Sequence, residues 1–259
     1  MSDTLGATNA PTESVILCEG YYERTFLAGW LLWRGCTDPG ANPGKQERQL
    51  IRDPWKEPVS HGEYAFKSPN GSFIRVIPCM GSGNILNVAR TRLNRRATRA
   101  LTRLALCYDA DSDLTDTSPS VDSAHHQGEN LSQEFDGAPE NGVWRLGGTQ
   151  LLMVCWHAND PPSSGLPERQ TLERLLRPAM VEAYPPRGES VRGWLDGRHE
   201  APEAGPKHFS WSYFAGWYAH HGAEDFYHRI WEDPLVAKAI ETRLRMVEGW
   251  TQMEDLARL

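Results

Sequence analysis

Three continuous apolar segments constrain the fold of this chain most: "SVILC" at 14–18, "LALC" at 104–107 and "QLLMVCWH" at 150–157. They do not alternate apolar with polar residues, which is typical of strands buried on both faces of a sheet. Segments with helical spacing lie between them; Tyr22, Phe26 and Trp30, for example, share one helical face. Because strands and helices alternate, the sequence predicts an α/β fold with a mostly parallel central sheet flanked by helices.

The remaining segments predict how this domain is bounded. Residues 1–13 are small and polar and predict a disordered leader, and the main domain is expected over 14–235. Within it, the acidic stretch 112–142 is long for a connection and is expected to be a loop or an insertion. The last segment, 236–259, is predicted as a helical C-terminal extension. The Pro-Asn-Gly at 69–71 predicts a hairpin.

Composition restricts the compartment and the partners. Five cysteines occur without any CxxC pair, which indicates reduced thiols in a cytosolic protein. No apolar run approaches the ~18–20 residues that a membrane span needs, and the N-terminus has no signal-peptide pattern. We therefore predict a cytoplasmic protein with no membrane partner. The net charge of −7 argues against non-specific adhesion to nucleic acid as a whole.

Acidic residues follow two of the buried strands. Glu19 comes directly after the first, and Asp109 and Asp111 come at the end of the second. If these strands are neighbours, their carboxyl ends meet at one edge of the sheet, and Glu23 reaches the same place from one helical turn further on. Clustered carboxylates repel one another unless a cation lies between them, and hard oxygen ligands suit Mg²⁺ or Mn²⁺. The alternative is that these acids are solvated or cap the following helices.

The same residues resemble the motifs of the Toprim domain, which topoisomerases, bacterial primases and nucleases of the OLD (overcoming lysogenization defect) family share. The strand-terminal Glu-Gly is Glu19-Gly20, and the later Asp-x-Asp is Asp109-Ala110-Asp111. The stretch "CEGYYE" is most similar to the OLD variant, in which a further acid, here Glu23, follows. The resemblance implies a Toprim-like fold and a two-metal site in which these carboxylates hold Mg²⁺ or Mn²⁺ ions.

Three later segments extend the resemblance, which covers roughly residues 14–235. "PCMGSGNI" is similar to the glycine-rich strand-to-helix turn, and implies a phosphate turn at Gly81, Ser82 and Gly83. "LPERQTLERLL" is similar to the segment with the later acid, which implies that Glu168 or Glu173 completes the metal site. "AGPKHFSWSYFAGW" is similar to the segment with the family's lysine. Lys207 would accordingly stabilise charge on the phosphate in the transition state.

Six arginines occur within 14 residues without an acid between them, in a segment predicted to be a helix from about residue 84 to 103. One interpretation is a stripe that follows nucleic-acid phosphates. The alternatives are a solvated helix face, or a docking face for an acidic partner. The predicted nucleic-acid-binding residues are Arg90, Arg92, Arg95, Arg96, Arg99 and Arg103.

Together, these motifs resemble those of metal-dependent nucleases that hydrolyse DNA or RNA. The family resemblance also implies a role in bacterial defence against phage. The chain has no GxxxxGK[ST] motif. An ABC/OLD-type ATPase, if needed, is therefore expected as a separate subunit. Two alternatives stay open: a Toprim-fold subunit activated by or regulating such an ATPase, and a primase-type phosphoryl or nucleotidyl transferase. The sequence does not decide whether the substrate is DNA or RNA, or whether the protein is a homo-oligomer.

Overall fold

The computed structural model describes residues 11–40, 51–60, 62–110, 118–157, 171–196, 214 and 223–258. Within them, seven strands form one sheet: β1 Glu13–Cys18, β2 Tyr64–Lys67, β3 Phe73–Pro78, β4 Leu101–Asp109, β5 Ala138–Glu140, β6 Val143–Leu146 and β7 Thr149–Trp156. Eight helices lie in the same residues: α1 Tyr21–Trp33, α2 Ser82–Asn94, α3 Ser118–Glu134, α4 Leu172–Ala183, α5 Pro185–Asp196, α6 Ala223–Arg229, α7 Pro234–Leu244 and α8 Trp250–Arg258.

The sheet is parallel at its centre and antiparallel at both edges. Its strand order is β2-β3-β1-β4-β7-β6-β5. The pairs β3–β1, β1–β4 and β4–β7 are parallel, whereas β2–β3, β6–β7 and β5–β6 are antiparallel. The mixed α/β class with a mostly parallel central sheet flanked by helices is thereby confirmed, as is the hairpin predicted around Pro-Asn-Gly.

Helices cover both faces of the sheet. Along β1, Ile16 and Cys18 pack into one apolar cluster, which includes residues of α1, α4, α6, α7 and α8. Val15 and Leu17 point to the other face and pack with residues of α2 and α3. Since successive side chains of a strand point to opposite faces, only an apolar run without alternation suits a strand covered on both sides. This burial accounts for the three apolar segments in the sequence.

Helix α2 is shorter than the predicted helix over 84–103. It ends at Asn94, and Arg95 is its C-cap residue. The chain then turns through Ala100, which has a φ of 44°, and enters β4 at Leu101. The prediction of one helix to residue 103 is therefore wrong, and four of the six arginines lie beyond the end of α2. The turn occurs because the apolar residues from Leu101 onward pair with β1 in the sheet, where they are buried.

The acidic stretch predicted as a loop or insertion over 112–142 contains regular structure. Helix α3 takes up more than half of this stretch and packs against the sheet through Leu131, which is fully buried. Gly128 lies under Trp144, so close that a Cβ at residue 128 would lie 2.6 Å from the ring. A helix with so few apolar residues gives little periodic signal, and tertiary packing decides its conformation.

The C-terminal residues are part of the core. Trp250 of α8 is fully buried, and its ring lies 4.8 Å from that of Trp30 on α1 and 5.8 Å from that of Trp156 on β7. The helical segment predicted over 236–259 is divided between α7 and α8. The division falls before Gly249, whose φ of 78° suits glycine and whose Cα packs against the carbonyl of Met153.

A buried ion cluster joins β1 and β3 to Asp53 and Glu63. Arg75 on β3 is 3% exposed and donates hydrogen bonds to Glu13 (3.0 Å), Asp53 (2.9 Å) and Glu63 (2.8 Å). Glu13, which the sequence predicted as the end of a disordered leader, is therefore the first residue of β1 and is 2% exposed. A charged residue at a strand start looks like part of the polar leader until its buried partner is known.

All five cysteines are free and buried. In the part of the chain described above, no helix is long and apolar enough to cross a membrane.

Candidate metal centre

Glu19 and Asp109 lie at the same edge of the sheet because their strands are parallel neighbours. Glu19 directly follows β1, and Asp109 is the last residue of β4. The backbone N–H of Asp109 donates a hydrogen bond of 3.1 Å to Oε1 of Glu19. The two strands that end in acids are therefore adjacent, as the predicted site requires.

Glu23 lies in the first turn of α1 and is only 7% exposed. Its Oε2 accepts a hydrogen bond of 2.9 Å from the backbone N–H of Gly20, and its Oε1 accepts one of 2.7 Å from Nε1 of Trp156. Burial, followed by repulsion from the Glu19 carboxylate, raises the pKa of Glu23 to about 8, although both hydrogen bonds oppose the shift. A bound cation would offset both causes of the raised pKa.

Asp109 and Glu173 meet at the start of helix α4. Oδ1 of Asp109 accepts a hydrogen bond of 3.0 Å from the backbone N–H of Leu172, the first residue of α4. Glu173 follows and is 6% exposed; its Oε1 accepts a hydrogen bond of 2.6 Å from the hydroxyl of Tyr227. Its Oε2 is buried and has no hydrogen-bond partner among the described residues. Such an atom is costly to bury unless a ligand satisfies it.

The glycine-rich turn after β3 lies against the end of β1. The backbone N–H of Cys79 donates to the carbonyl of Cys18, and that of Gly81 donates to the carbonyl of Glu19, both at 2.8 Å. Gly81 has a φ of 113° and precedes α2, so a residue with a side chain would be strained there. Of the predicted phosphate turn, Gly81 lines the cavity described next, and Ser82 and Gly83 are exposed at the start of α2.

The four carboxylates surround one cavity of about 310 Å³. Its lining residues come from the ends of β1 and β4 and the starts of α1 and α4, with the turn before α2; they are Glu19, Gly20, Tyr21, Tyr22, Glu23, Met80, Gly81, Asp109, Leu172 and Glu173. At its rim, Tyr21 is 45% and Met80 is 62% exposed. The cavity is therefore open to a ligand from solvent.

The donor set suits a hard divalent cation. It consists of carboxylate oxygens, one of them the buried Oε2 of Glu173 without a described partner. As they stand, however, no three His, Cys, Asp or Glu side chains within the described ranges lie close enough together to hold a metal ion. Mg²⁺ usually binds one or two carboxylates and keeps several waters, so this spacing is compatible with binding at part of the set. Three other predicted site residues, Asp111, Glu168 and Lys207, lie outside the described residues.

Arg90 and Arg92, the two predicted nucleic-acid-binding arginines on α2, form ion pairs within the chain. Nε of Arg90 lies 2.8 Å from Oε2 of Glu134 on α3, where both side chains are about two-fifths exposed. Arg92 donates a hydrogen bond of 2.9 Å to Glu63, a member of the buried ion cluster. Such pairs reduce the positive charge that α2 presents to a ligand.

The other four arginines have different surroundings. Arg99 is 8% exposed and forms ion pairs with acids of the segment 51–60, and Nε of Arg103 on β4 donates to the side chain of Gln150 at 3.0 Å. The guanidinium of Arg96 lies 5.3 Å from the ring centre of Phe135, and Arg95 is exposed. Arg99 is thus a structural residue, whereas nucleic-acid binding by the other five arginines stays a prediction.

Sequence reasoning missed two aromatic residues that hold the carboxylates. Trp156, at the end of β7, donates to Glu23 across 133 positions of sequence, and Tyr227 donates to Glu173 across 54. Trp156 has a weak signal, because it ends the strand next to β4, whereas Tyr227 has none. Aromatic residues in apolar stretches are usually core residues, and only their donor atoms distinguish these two.

Replacement of Glu23 by glutamine is expected to change the pH dependence of stability. The folded-state pKa of about 8 lies above the ordinary value of 4.5. The contribution of Glu23 to the free energy of unfolding is therefore fully present below pH 4.5 and is lost as the pH rises through 8. Between about pH 6 and pH 8, the wild type should lose roughly 1 kcal/mol per pH unit relative to E23Q in urea unfolding.

The test compares the slopes of the two pH curves and not their absolute values. E23Q starts from a different stability, because its side-chain amide must place an N–H group against one of the two N–H donors, Gly20 or Trp156. Saturating Mn²⁺ should flatten the difference, since a cation lowers the pKa of a carboxylate. Parallel curves for the two proteins without metal would mean that Glu23 is ionised throughout.

Comparison with known proteins indicates the fold alone. No family model and no curated protein matches the chain. A solved structure of a hypothetical protein, PH0156 from Pyrococcus horikoshii OT3, is similar over 95% of this chain and 99% of that one, with a TM-score of 0.65 and 14% sequence identity. The chain therefore shares a mixed α/β fold, with helices on both sides of a mostly parallel sheet, with this archaeal protein.

Proposed function

We propose that this chain is a Toprim-like, metal-dependent nuclease that hydrolyses DNA or RNA phosphodiesters. The observation that carries the proposal is the meeting of four carboxylates, Glu19, Glu23, Asp109 and Glu173, around one cavity at the carboxyl ends of parallel strands. Ligand sites of open α/β sheets lie at this edge. Buried acids that repel one another, with one oxygen left without a described partner, favour a cation over a merely solvated cluster.

The acids and the backbone have complementary tasks in this proposal. Glu19 and Asp109 at the strand ends and Glu173 on α4 are the candidate ligands, and Mg²⁺ or Mn²⁺ would bind one or two of these carboxylates directly and keep several waters. When bound, such an ion polarises a phosphoryl oxygen and makes a bound water more nucleophilic. Without it, the carboxylates would repel an anionic substrate. The N-termini of α2 and α4 face the same place and favour a phosphate there through their N–H groups and dipoles.

The proposed activity predicts cleavage that depends on a divalent cation. Purified protein would be incubated with a supercoiled plasmid, a linear duplex and a structured RNA, in Mg²⁺, in Mn²⁺ and in EDTA. We expect at least one substrate to be cut with metal and none in EDTA, and the substrate that is cut distinguishes DNA from RNA.

Two other outcomes would contradict a free-standing nuclease. A folded protein that binds Mn²⁺ but cuts nothing would favour a subunit that depends on a separate ATPase. Incorporation of nucleotides in place of strand cutting would favour the transferase.

A further inference from the structure

Tyr227 contacts one of the cavity carboxylates from the C-terminal helices. It lies on α6, is fully buried, and its hydroxyl donates a hydrogen bond of 2.6 Å to Oε1 of Glu173. The bond spans 54 positions of sequence. It joins the C-terminal helices to the cavity, although Tyr227 itself does not line it.

The ring of Tyr227 is held in place independently of its hydroxyl. It stacks on Tyr22, a cavity-lining residue, at 5.4 Å between ring centres, and it meets Phe226 and Phe214 edge-on at 5.2 Å and 6.2 Å. Such aromatic packing restricts the ring, so the direction of the O–H bond is restricted too. A phenol fixed in this way sets the orientation of the carboxylate to which it donates.

Glu173 is divided between two environments as a result. Oε1 is occupied by the phenol, whereas Oε2 is buried without a hydrogen-bond partner in the described part of the chain. A carboxylate of a cavity-lining residue, with one oxygen held by an interior donor and the other buried without a described partner, is the arrangement expected of a metal ligand with a supporting hydrogen bond. Such supporting donors orient the ligand, and their loss typically lowers metal affinity 10–100-fold, which corresponds to about 1–3 kcal/mol of binding free energy.

We propose that Tyr227 is a positioning residue that orients the Glu173 carboxylate for a divalent cation, so that the C-terminal helices contribute to the site and not only to the core. This inference rests on the proposed metal-binding function. It assigns to α6 a role that the strand-end motifs do not contain. Tyr227 would act only through Glu173, without contact to substrate.

The test is Mn²⁺ binding to Y227F, measured by the electron paramagnetic resonance signal of free Mn²⁺, with the Tm of the metal-free protein measured in parallel. Phenylalanine keeps the aromatic packing and removes only the hydroxyl. We expect the Kd for Mn²⁺ to rise about 10-fold or more. In an E173Q background the same change should have no further effect on Kd, because residues that act as a unit are not additive.

Y184F is a matched control. The hydroxyl of Tyr184 donates a hydrogen bond of 2.9 Å to Asp233, a tyrosine–carboxylate contact that joins α4 to α7 and does not line the cavity. This variant should leave the Kd for Mn²⁺ unchanged. Equal weakening of Mn²⁺ binding by Y184F and Y227F, or the same loss in the E173Q background, would show a merely structural role and overturn the inference.

The failure of this inference can be told apart from that of the proposed function. Wild-type protein that binds Mn²⁺, together with a Y227F protein of unchanged Kd, overturns the role of Tyr227 alone. Wild-type protein that binds no Mn²⁺ overturns the proposed metal site and the role of Tyr227 with it.

Discussion

Replacement of Asp109 by asparagine is expected to lower kcat/KM for metal-dependent cleavage by more than about 100-fold, the upper end of the loss found for residues that only support a metal ligand. Asparagine removes the charge that would bind the cation but retains a side-chain oxygen. The hydrogen bond that Asp109 accepts from Leu172, which caps α4, can therefore persist. A comparison of cleavage rates with the Tm of the metal-free protein separates the two roles. The Tm should change little.

Asp233 offers a matched control for this substitution. It caps α7, accepting hydrogen bonds from the backbone N–H groups of Leu235 and Val236, and it does not line the cavity. D233N should therefore leave cleavage close to that of the wild type. If D109N cleaves as well as D233N does, Asp109 is a helix cap and not a metal ligand. The alternative left open by the sequence, that the strand-end acids only cap helices, would then hold for Asp109.

Replacement of Arg75 by methionine is expected to lower the free energy of unfolding by about 3–5 kcal/mol, the cost of removing one partner from a buried ion pair. Arg75 is 3% exposed and donates to three acids. Asp53 and Glu63 would keep Arg99 and Arg92, but Glu13 would lose the only ion pair described for its side chain. Urea unfolding measures this loss of free energy. The same loss should lower the Tm by on the order of 10 °C.

Arg145 provides the contrast for Arg75. It forms an ion pair of 2.7 Å with Glu140 at the surface, where both side chains are more than two-fifths exposed. Exposed pairs contribute less than about 1 kcal/mol, so R145M should unfold almost as the wild type does. If R75M and R145M lost equal free energies of unfolding, burial would not be the reason why the Arg75 cluster stabilises the fold. Cleavage by refolded R75M should remain, because Arg75 does not line the cavity.

The parts of the fold that could be predicted depend on local pattern. An apolar run without alternation predicts a strand covered on both faces, and Pro-Asn-Gly predicts a hairpin, because each depends on residues close together in sequence. The end of α2 could not be predicted in this way. Its arginines and small residues are compatible with a longer helix, and the chain leaves the helix at Asn94 because β4 is buried beside β1.

The candidate site was predictable to the same degree. Glu19, Glu23 and Asp109 follow from strand ends and one helical turn, and the structure brings them to one cavity together with Glu173. Glu173, one of the two later acids, lines the cavity because α4 begins after its N-cap Thr171, and Glu168 lies outside the described residues. Arg99 was misread because a guanidinium has the same sequence signal on an exposed helix as in a buried ion pair.

The α/β class, the burial of the strands on both faces and the acids at their ends could be inferred from the sequence alone, because all three follow from side-chain polarity at short spacing. The tertiary fold was needed to show that β1 and β4 are neighbours and that Arg75 binds three buried acids. It was also needed to show that Tyr227 reaches Glu173. These are contacts between residues far apart in the chain, and they depend on the order in which strands pair and on how the helices pack over the sheet.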